Sequence, residues 1–228
     1  MRITAVLQRH KALFLASIVT VSIAVSQTAY DSLYLKNPTY KNLTALYELS
    51  KIERADIVFL GNSITYGGNW AELLGRERVV NRGIGSDNLP GMLQRLHQVY
   101  RLQPKLCFIM AGINDIYDGI AVDTIFVRYV QVIDSLQRHK ITPVVQSTLH
   151  VNPKWKRAEM KNADVAKLNQ LLQQYCKQRG IPYVDLNTFL SPHGVLKNEY
   201  TTDGVHLTAA AYAVWRDVIE PLIETYGL

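Results

Sequence analysis

Short apolar runs that each stop at a patch of Gly, Ser, Asn or Asp recur along this chain, and helical patterns separate them. Strand-like runs fall at 56–60, 79–81, 106–111, 143–147 and 183–186. Between them Val122, Ile125, Phe126, Tyr129, Ile133 and Leu136 mark one helical face, and Val165, Leu168, Leu172 and Tyr175 mark another. A last helix is expected from an N-cap at Thr208 to about Tyr226, and a short one ahead of the first strand through Leu43, Leu46, Tyr47 and Leu49. Strands alternating with helices predict an α/β fold of βαβ units, with a parallel sheet covered on both faces. The unbroken run Leu106-Cys107-Phe108-Ile109-Met110 suits the middle of such a sheet.

Ligands in these folds bind beyond the carboxyl ends of the strands, and the polar patches fall there. Gly61-Asn62-Ser63-Ile64-Thr65 follows the first run, Gly83-Ile84-Gly85-Ser86-Asp87 the second and Gly112-Ile113-Asn114-Asp115 the third. Asp203-Gly204-Val205-His206 comes after the fifth, just before the last helix. Taken singly, each patch has an ordinary reading as a helix cap or a tight turn. Together they supply acyl-transfer chemistry in the right order. A serine hydroxyl is a poor nucleophile until a base takes its proton, so Ser63 is the expected nucleophile and His206 its base. Asp203, three residues before His206, can orient the ring and stabilise the imidazolium. Donors for the developing oxyanion are expected from the Ser63 N–H, the Ser86 N–H (with Gly85 as the fallback) and the Asn114 side-chain amide.

Other classes are less well supported. The net charge of +6 includes Arg2, Arg9 and Lys11, and no basic-aromatic stripe suggests nucleic acid. Gly83-Ile84-Gly85 lacks the third glycine of a dinucleotide fingerprint and no GKS or GKT follows it. No CxxC, HExxH or His-rich cluster suggests a metal, and no cofactor is expected. Cys107 lies inside an apolar run and reads as a free, buried thiol rather than a partner for Cys176. Arg9-His10-Lys11 ahead of an uncharged stretch over 12–30 reads as an export signal, with cleavage after Ser26 and an uncleaved anchor as the alternative. The expected layout is therefore a signal over 1–26, an N-terminal extension over 27–54 and a catalytic domain over 55–228, in the periplasm or outside the cell. A membrane contact is expected only if the signal stays attached.

These four patches resemble the four blocks of the SGNH hydrolases, the GDSL-type esterases and lipases. Ser63 falls in the first block, 83–87 in the second, Gly112-Ile113-Asn114-Asp115 in the third and Asp203-x-x-His206 in the last, so that the likeness covers roughly 55–220. The resemblance implies a three-layer α/β/α sandwich, flavodoxin-like, with five parallel strands, a Ser-His-Asp triad and no cofactor. The spacing over 81–96 is most similar to the branch of platelet-activating-factor acetylhydrolase-like and carbohydrate acetylesterase-like members. That likeness implies removal of a small acyl group, acetyl foremost, from a small-molecule or glycan ester; a lysophospholipase or acyl-thioesterase is the alternative, and a non-catalytic binding module the rival outside enzymes. Two residues depart from the family pattern: Asn62 where Asp is usual, and Ser86 where Gly is usual, which requires the serine to adopt a glycine-like backbone. His150, after the fourth strand, and Asn62 are expected to contact substrate, and Trp70, Tyr117 and Trp155 could form a sugar platform. His97, His139 and His193 carry no functional argument.

Overall fold

The five apolar runs pair into one all-parallel sheet in the order β2-β1-β3-β4-β5. The strands are β1 (Ile57–Gly61), β2 (Val79–Gly83), β3 (Leu106–Met110), β4 (Thr142–Gln146) and β5 (Tyr183–Val184). This arrangement comes from a computed structural model, which describes residues 29–228; the expected export signal and its cleavage point lie outside the described residues. Every residue of β1 and β3 is buried, as central parallel strands covered on both faces require. In register, Gly61 lies beside Gly83 of β2 and Met110 of β3, so the three strands end at one level. The expected run at 183–186 yields only two sheet residues, because from Asp185 the chain turns into the short helix Asn187–Leu190.

Among the described residues, four long helices surround the sheet: α1 (Pro38–Glu48), α2 (Val122–Arg138), α3 (Ala158–Arg179) and α4 (Ala209–Thr225). In α2, Val122, Ile125, Tyr129, Val132, Ile133 and Leu136 are buried, the spacing of a single helical face. The stripe on α3 is Val165, Leu168, Leu172 and Cys176, with Tyr175 only half-buried beside it. Both cysteines are buried free thiols. Helix α3 stops at Gly180, whose positive φ of 64° closes the last turn. On α4 the Thr208 hydroxyl caps the first turn through the Ala211 N–H, and Trp215 and Ile219 are fully buried.

Aromatic stacking fills the core on one face. Phe59 and Phe108 are register partners with rings 4.9 Å apart, and Trp70 lies flat on Phe59 at 4.0 Å. Trp215 meets Trp70 edge-on at 4.6 Å and donates its ring N–H to Gln146. Trp70 is 1% exposed, so it belongs to the core and not to a sugar platform. A second, smaller cluster joins Tyr40 and Leu43 of α1 to Ile84, with Tyr34 and Tyr47 at its margin. Helix α1 thus presents Tyr40, Leu43 and Tyr47 inward and leaves Leu46 and Leu49 in solvent.

Candidate active site

Strand β1 delivers Ser63 through a turn that only particular residues can make. A Cβ on Gly61 would lie 2.1 Å from the Thr65 hydroxyl and 2.7 Å from the Met110 carbonyl, so the chain leaves the strand where no side chain fits. Asn62 then caps the helical turn Ser63–Tyr66, its Oδ1 accepting the Ile64 N–H at 3.0 Å. That cap commits the Asn62 Oδ1 to the backbone, and the residue is only 1% exposed. Asn81 braces the same turn, donating to the carbonyls of Thr65, Tyr66 and Gly68.

His206 reaches Ser63 from the loop ahead of α4, with Nε2 3.0 Å from the serine Oγ. Its Nδ1 is 2.5 Å from Asp203 Oδ2. An ionised carboxylate only accepts, so Nδ1 carries the proton and Nε2 is left to accept the serine hydroxyl. Asp203 Oδ1 in turn accepts the N–H groups of Val205 at 2.9 Å and His206 at 2.8 Å. Partial burial pulls the Asp203 pKa upward, but the bond from His206 and the two N–H groups outweigh it and bring it down to about 2. Gly204, at φ 104°, is required here, since a Cβ would meet the Trp155 nitrogen at 2.7 Å.

The expected oxyanion donors gather at the same edge. Asn114 follows Gly112 (φ 103°) on the helical turn Ile113–Tyr117, and its Nδ2 donates to the Asp87 carbonyl at 2.7 Å. That bond ties the third patch to the second. Ser86 adopts φ 56°, the left-handed backbone that glycine would take more cheaply, and its N–H meets no intramolecular acceptor. The Ser63 N–H opens a helical turn and has no partner within it.

Two supports gave no sequence signal. Arg95 is 1% exposed and pairs with Asp87 at 2.7 Å, while its other donors reach the Arg82 carbonyl at 2.7 Å and the Gly61 carbonyl at 3.1 Å. It therefore fastens the ends of β1 and β2 to the loop that follows β2. Asp115 is fully buried and accepts the Tyr30 hydroxyl at 2.5 Å and the Leu89 N–H at 3.1 Å. Burial pushes its pKa up to about 6.

His150 lies after β4, where expected. Its N–H is held by Asn187, its Nδ1 is buried without a partner, and burial lowers its pKa. It lines a cavity of about 910 Å³ together with Lys154, Trp155, Arg157, Met160 and Val195. None of Ser63, Asp203 or His206 lines that cavity, but its wall abuts the site from two sides. Asn152 donates its N–H to the Gly204 carbonyl at 2.8 Å, and Tyr117, from the Asn114 turn, donates to the Lys156 carbonyl at 2.9 Å and packs edge-on against Trp155. His97 instead pairs with Glu48, and His139 stacks on Tyr100, both away from the site.

A three-layer fold with a serine, an imidazole and a carboxylate in line at the strand ends defines an α/β serine-hydrolase architecture. The chain belongs to the GDSL-like lipase/acylhydrolase family, whose pattern it matches over residues 59–214. It is 27% identical to a GDSL-like lipase from Bacteroides thetaiotaomicron, with a TM-score of 0.70 over 82% of this chain and 98% of that one. The fold also matches a lipase/acylhydrolase from Enterococcus faecalis at 21% identity, with a TM-score of 0.67 over 75% and 96% of the two chains. Among curated proteins, it is 31% identical over 160 residues to an N-acylneuraminate cytidylyltransferase of Streptococcus agalactiae, a match covering 69% of this chain. The chain spans only 36% of that relative's length.

Proposed function

We propose that this enzyme is an exported serine esterase that removes a small acyl group, acetyl foremost, from a carbohydrate. The observation that carries the catalytic part is the line from Asp203 through His206 to Ser63, at 2.5 and 3.0 Å. Ser63 Oγ attacks the ester carbonyl as His206 Nε2 takes its proton, and the carbonyl oxygen becomes an oxyanion facing the N–H groups of Ser63 and Ser86 and the Asn114 amide. Each such donor contributes about 10²–10³ in rate. Collapse of the tetrahedral adduct breaks the bond to the alcohol, which leaves with the proton from His206. Water then repeats the sequence on the acyl-Ser63 ester and releases the acid. Asp203, ionised well into acid, holds the imidazole in the required tautomer throughout.

The carbohydrate reading draws support from the cavity beside the triad loop. It offers the Trp155 ring, and Lys154, Lys156 and Arg157 against the single carboxylate Glu159. That balance favours an acidic sugar, and the curated relative is named for one. Initial rates on p-nitrophenyl esters from acetate to palmitate, with Ser63→Ala as control, test the proposal. Activity confined to short esters and lost in the control is expected. A surviving rate in Ser63→Ala would move the nucleophile elsewhere, and a maximum at long chains would replace the sugar ester by a lipid or thioester. Acetate release from O-acetylated acidic sugars should exceed that from neutral ones; the reverse order sinks the acidic-sugar reading.

A further inference from the structure

The loop that carries the Ser86 N–H is held almost entirely by groups from outside it, and several come from residues ahead of β1. Tyr47 donates its hydroxyl to the Gly83 carbonyl at 2.5 Å, and Asn37 donates Nδ2 to the Gly85 carbonyl at 2.7 Å. The Ile84 carbonyl accepts the Asp87 N–H, and Asn114 takes the Asp87 carbonyl. Beneath the loop, the fully buried Ile84 side chain packs on Tyr40 and Leu43 of α1. Of the loop's N–H groups, Gly83 is bonded to Asn81, Ile84 to Gly61 and Asp87 to Ile84, which leaves Gly85 and Ser86 unbonded.

The Gly85 carbonyl and the Ser86 N–H belong to one peptide group. A trans peptide is planar with its C=O and N–H pointing in opposite directions, and the described residues hold no cis bond. Whatever fixes the Gly85 carbonyl therefore aims the Ser86 N–H. Asn37 grips that carbonyl from the side of α1, so the N–H faces away from α1. This matters more than usual because Ser86 occupies the left-handed region, which a non-glycine residue enters only at a steric cost. With the carbonyl released, rotation of this peptide would relieve that strain and turn the donor away.

We propose that Asn37, which lies ahead of the family match at residues 59–214, is the positioning residue for the Ser86 oxyanion donor, so that the segment before β1 completes the active site. The inference rests on the esterase reading above. Asn37 has a second, separable role: its Oδ1 caps α1 through the Thr39 N–H at 3.0 Å. Asp and Ser also cap helices well but offer no amide donor to Gly85.

The test uses the full chain and the variants Asn37→Asp, Asn37→Ser and Asn37→Ala, read by kcat and KM on p-nitrophenyl acetate and by thermal unfolding. Affinity for a boronic acid, whose tetrahedral Ser63 adduct places an oxygen where the oxyanion forms, is measured in parallel. Asn37→Asp and Asn37→Ser should keep the wild-type Tm within a few degrees yet lose about tenfold or more in kcat, with KM nearly unchanged and boronate affinity falling in step. Only Asn37→Ala should lose stability as well. Wild-type kcat in Asn37→Asp and Asn37→Ser overturns the inference and leaves the esterase reading intact. A wild-type chain that neither hydrolyses esters nor takes a fluorophosphonate on Ser63 overturns both.

Discussion

Replacing Asp203 by Asn tests the triad through the proton on one ring nitrogen. Asp203 Oδ1 accepts two backbone N–H groups, from Val205 and His206, while Oδ2 faces His206 Nδ1. In Asp203→Asn the amide has one oxygen and must put it on the side of the two N–H donors. The flipped rotamer would forfeit both bonds, at about 1 kcal/mol each, and set its own N–H₂ against them. A bias of at least about 2 kcal/mol makes the flipped form roughly thirtyfold rarer. The amide nitrogen then points at His206 Nδ1, which must become an acceptor, so the ring proton moves to Nε2. There it faces Ser63 Oγ and the imidazole can no longer take the serine proton. The expected loss is about 10³–10⁴ in kcat, with KM and Tm little changed because both backbone bonds survive. Asp203→Ala imposes no wrong tautomer and should be no worse than Asp203→Asn. Initial rates on p-nitrophenyl acetate decide it: Asp203→Asn within about tenfold of wild type, or clearly better than Asp203→Ala, would refute the tautomer argument.

Three further outcomes follow from contacts around the site. Ser86→Gly exchanges a strained left-handed residue for one that enters the region freely, at the expense of unfolded-chain entropy; unfolding in urea should change by no more than about 1 kcal/mol and kcat by less than about twofold, since the donor is backbone. A large loss of rate would give the serine hydroxyl a part of its own. Arg95→Met strands the buried Asp87 carboxylate and frees the carbonyls of Gly61 and Arg82, so destabilisation of about 3–5 kcal/mol is expected, partly recovered by adding Asp87→Asn; a cost below about 1 kcal/mol would mean that the loop does not depend on the pair. Asp115 has a pKa raised by burial to about 6, so the folded protein binds its proton more tightly than the unfolded chain does. Its contribution to stability therefore grows as pH falls from about 6 toward about 4 and is lost above that range. Relative to Asp115→Asn, wild type should gain up to about 3 kcal/mol over that window, and parallel curves of unfolding free energy against pH would contradict it.

The parts of this site that were legible in the sequence are those whose chemistry is local. An all-buried parallel strand must be an unbroken apolar run, so β1 and β3 announce themselves, and the residues just past such runs fall at the sheet edge by the geometry of the fold. That is why the four patches could be expected to meet, and why Ser63 and His206, 143 positions apart, do lie within 3.0 Å. What failed were readings of what a single side chain would face. Asn62 beside the nucleophile looks wholly available to substrate, yet its Oδ1 is spent on capping the turn. Of the residues that marked the short helix ahead of β1, Leu43 and Tyr47 do face inward while Leu46 and Leu49 stay in solvent, and Tyr40 joins the inner face instead, since a tyrosine can bury a ring and still deliver a hydroxyl to a backbone carbonyl.

The contacts that left no sequence signal are the ones that join elements with no periodic relation. Asn37 to Gly85 spans 48 positions and Tyr30 to Asp115 spans 85, and neither residue repeats a pattern. A loop that offers a backbone N–H to substrate cannot use it to hold itself, and a loop with its carbonyls unpaired would be free to rotate that same peptide. The carbonyls must therefore be held from outside, and here α1 and the residue preceding it supply Tyr47 and Asn37. A catalytic loop that presents backbone donors thus requires a second element to complete it, and in this chain that element lies before the first strand, where no catalytic patch would have led a reader to look.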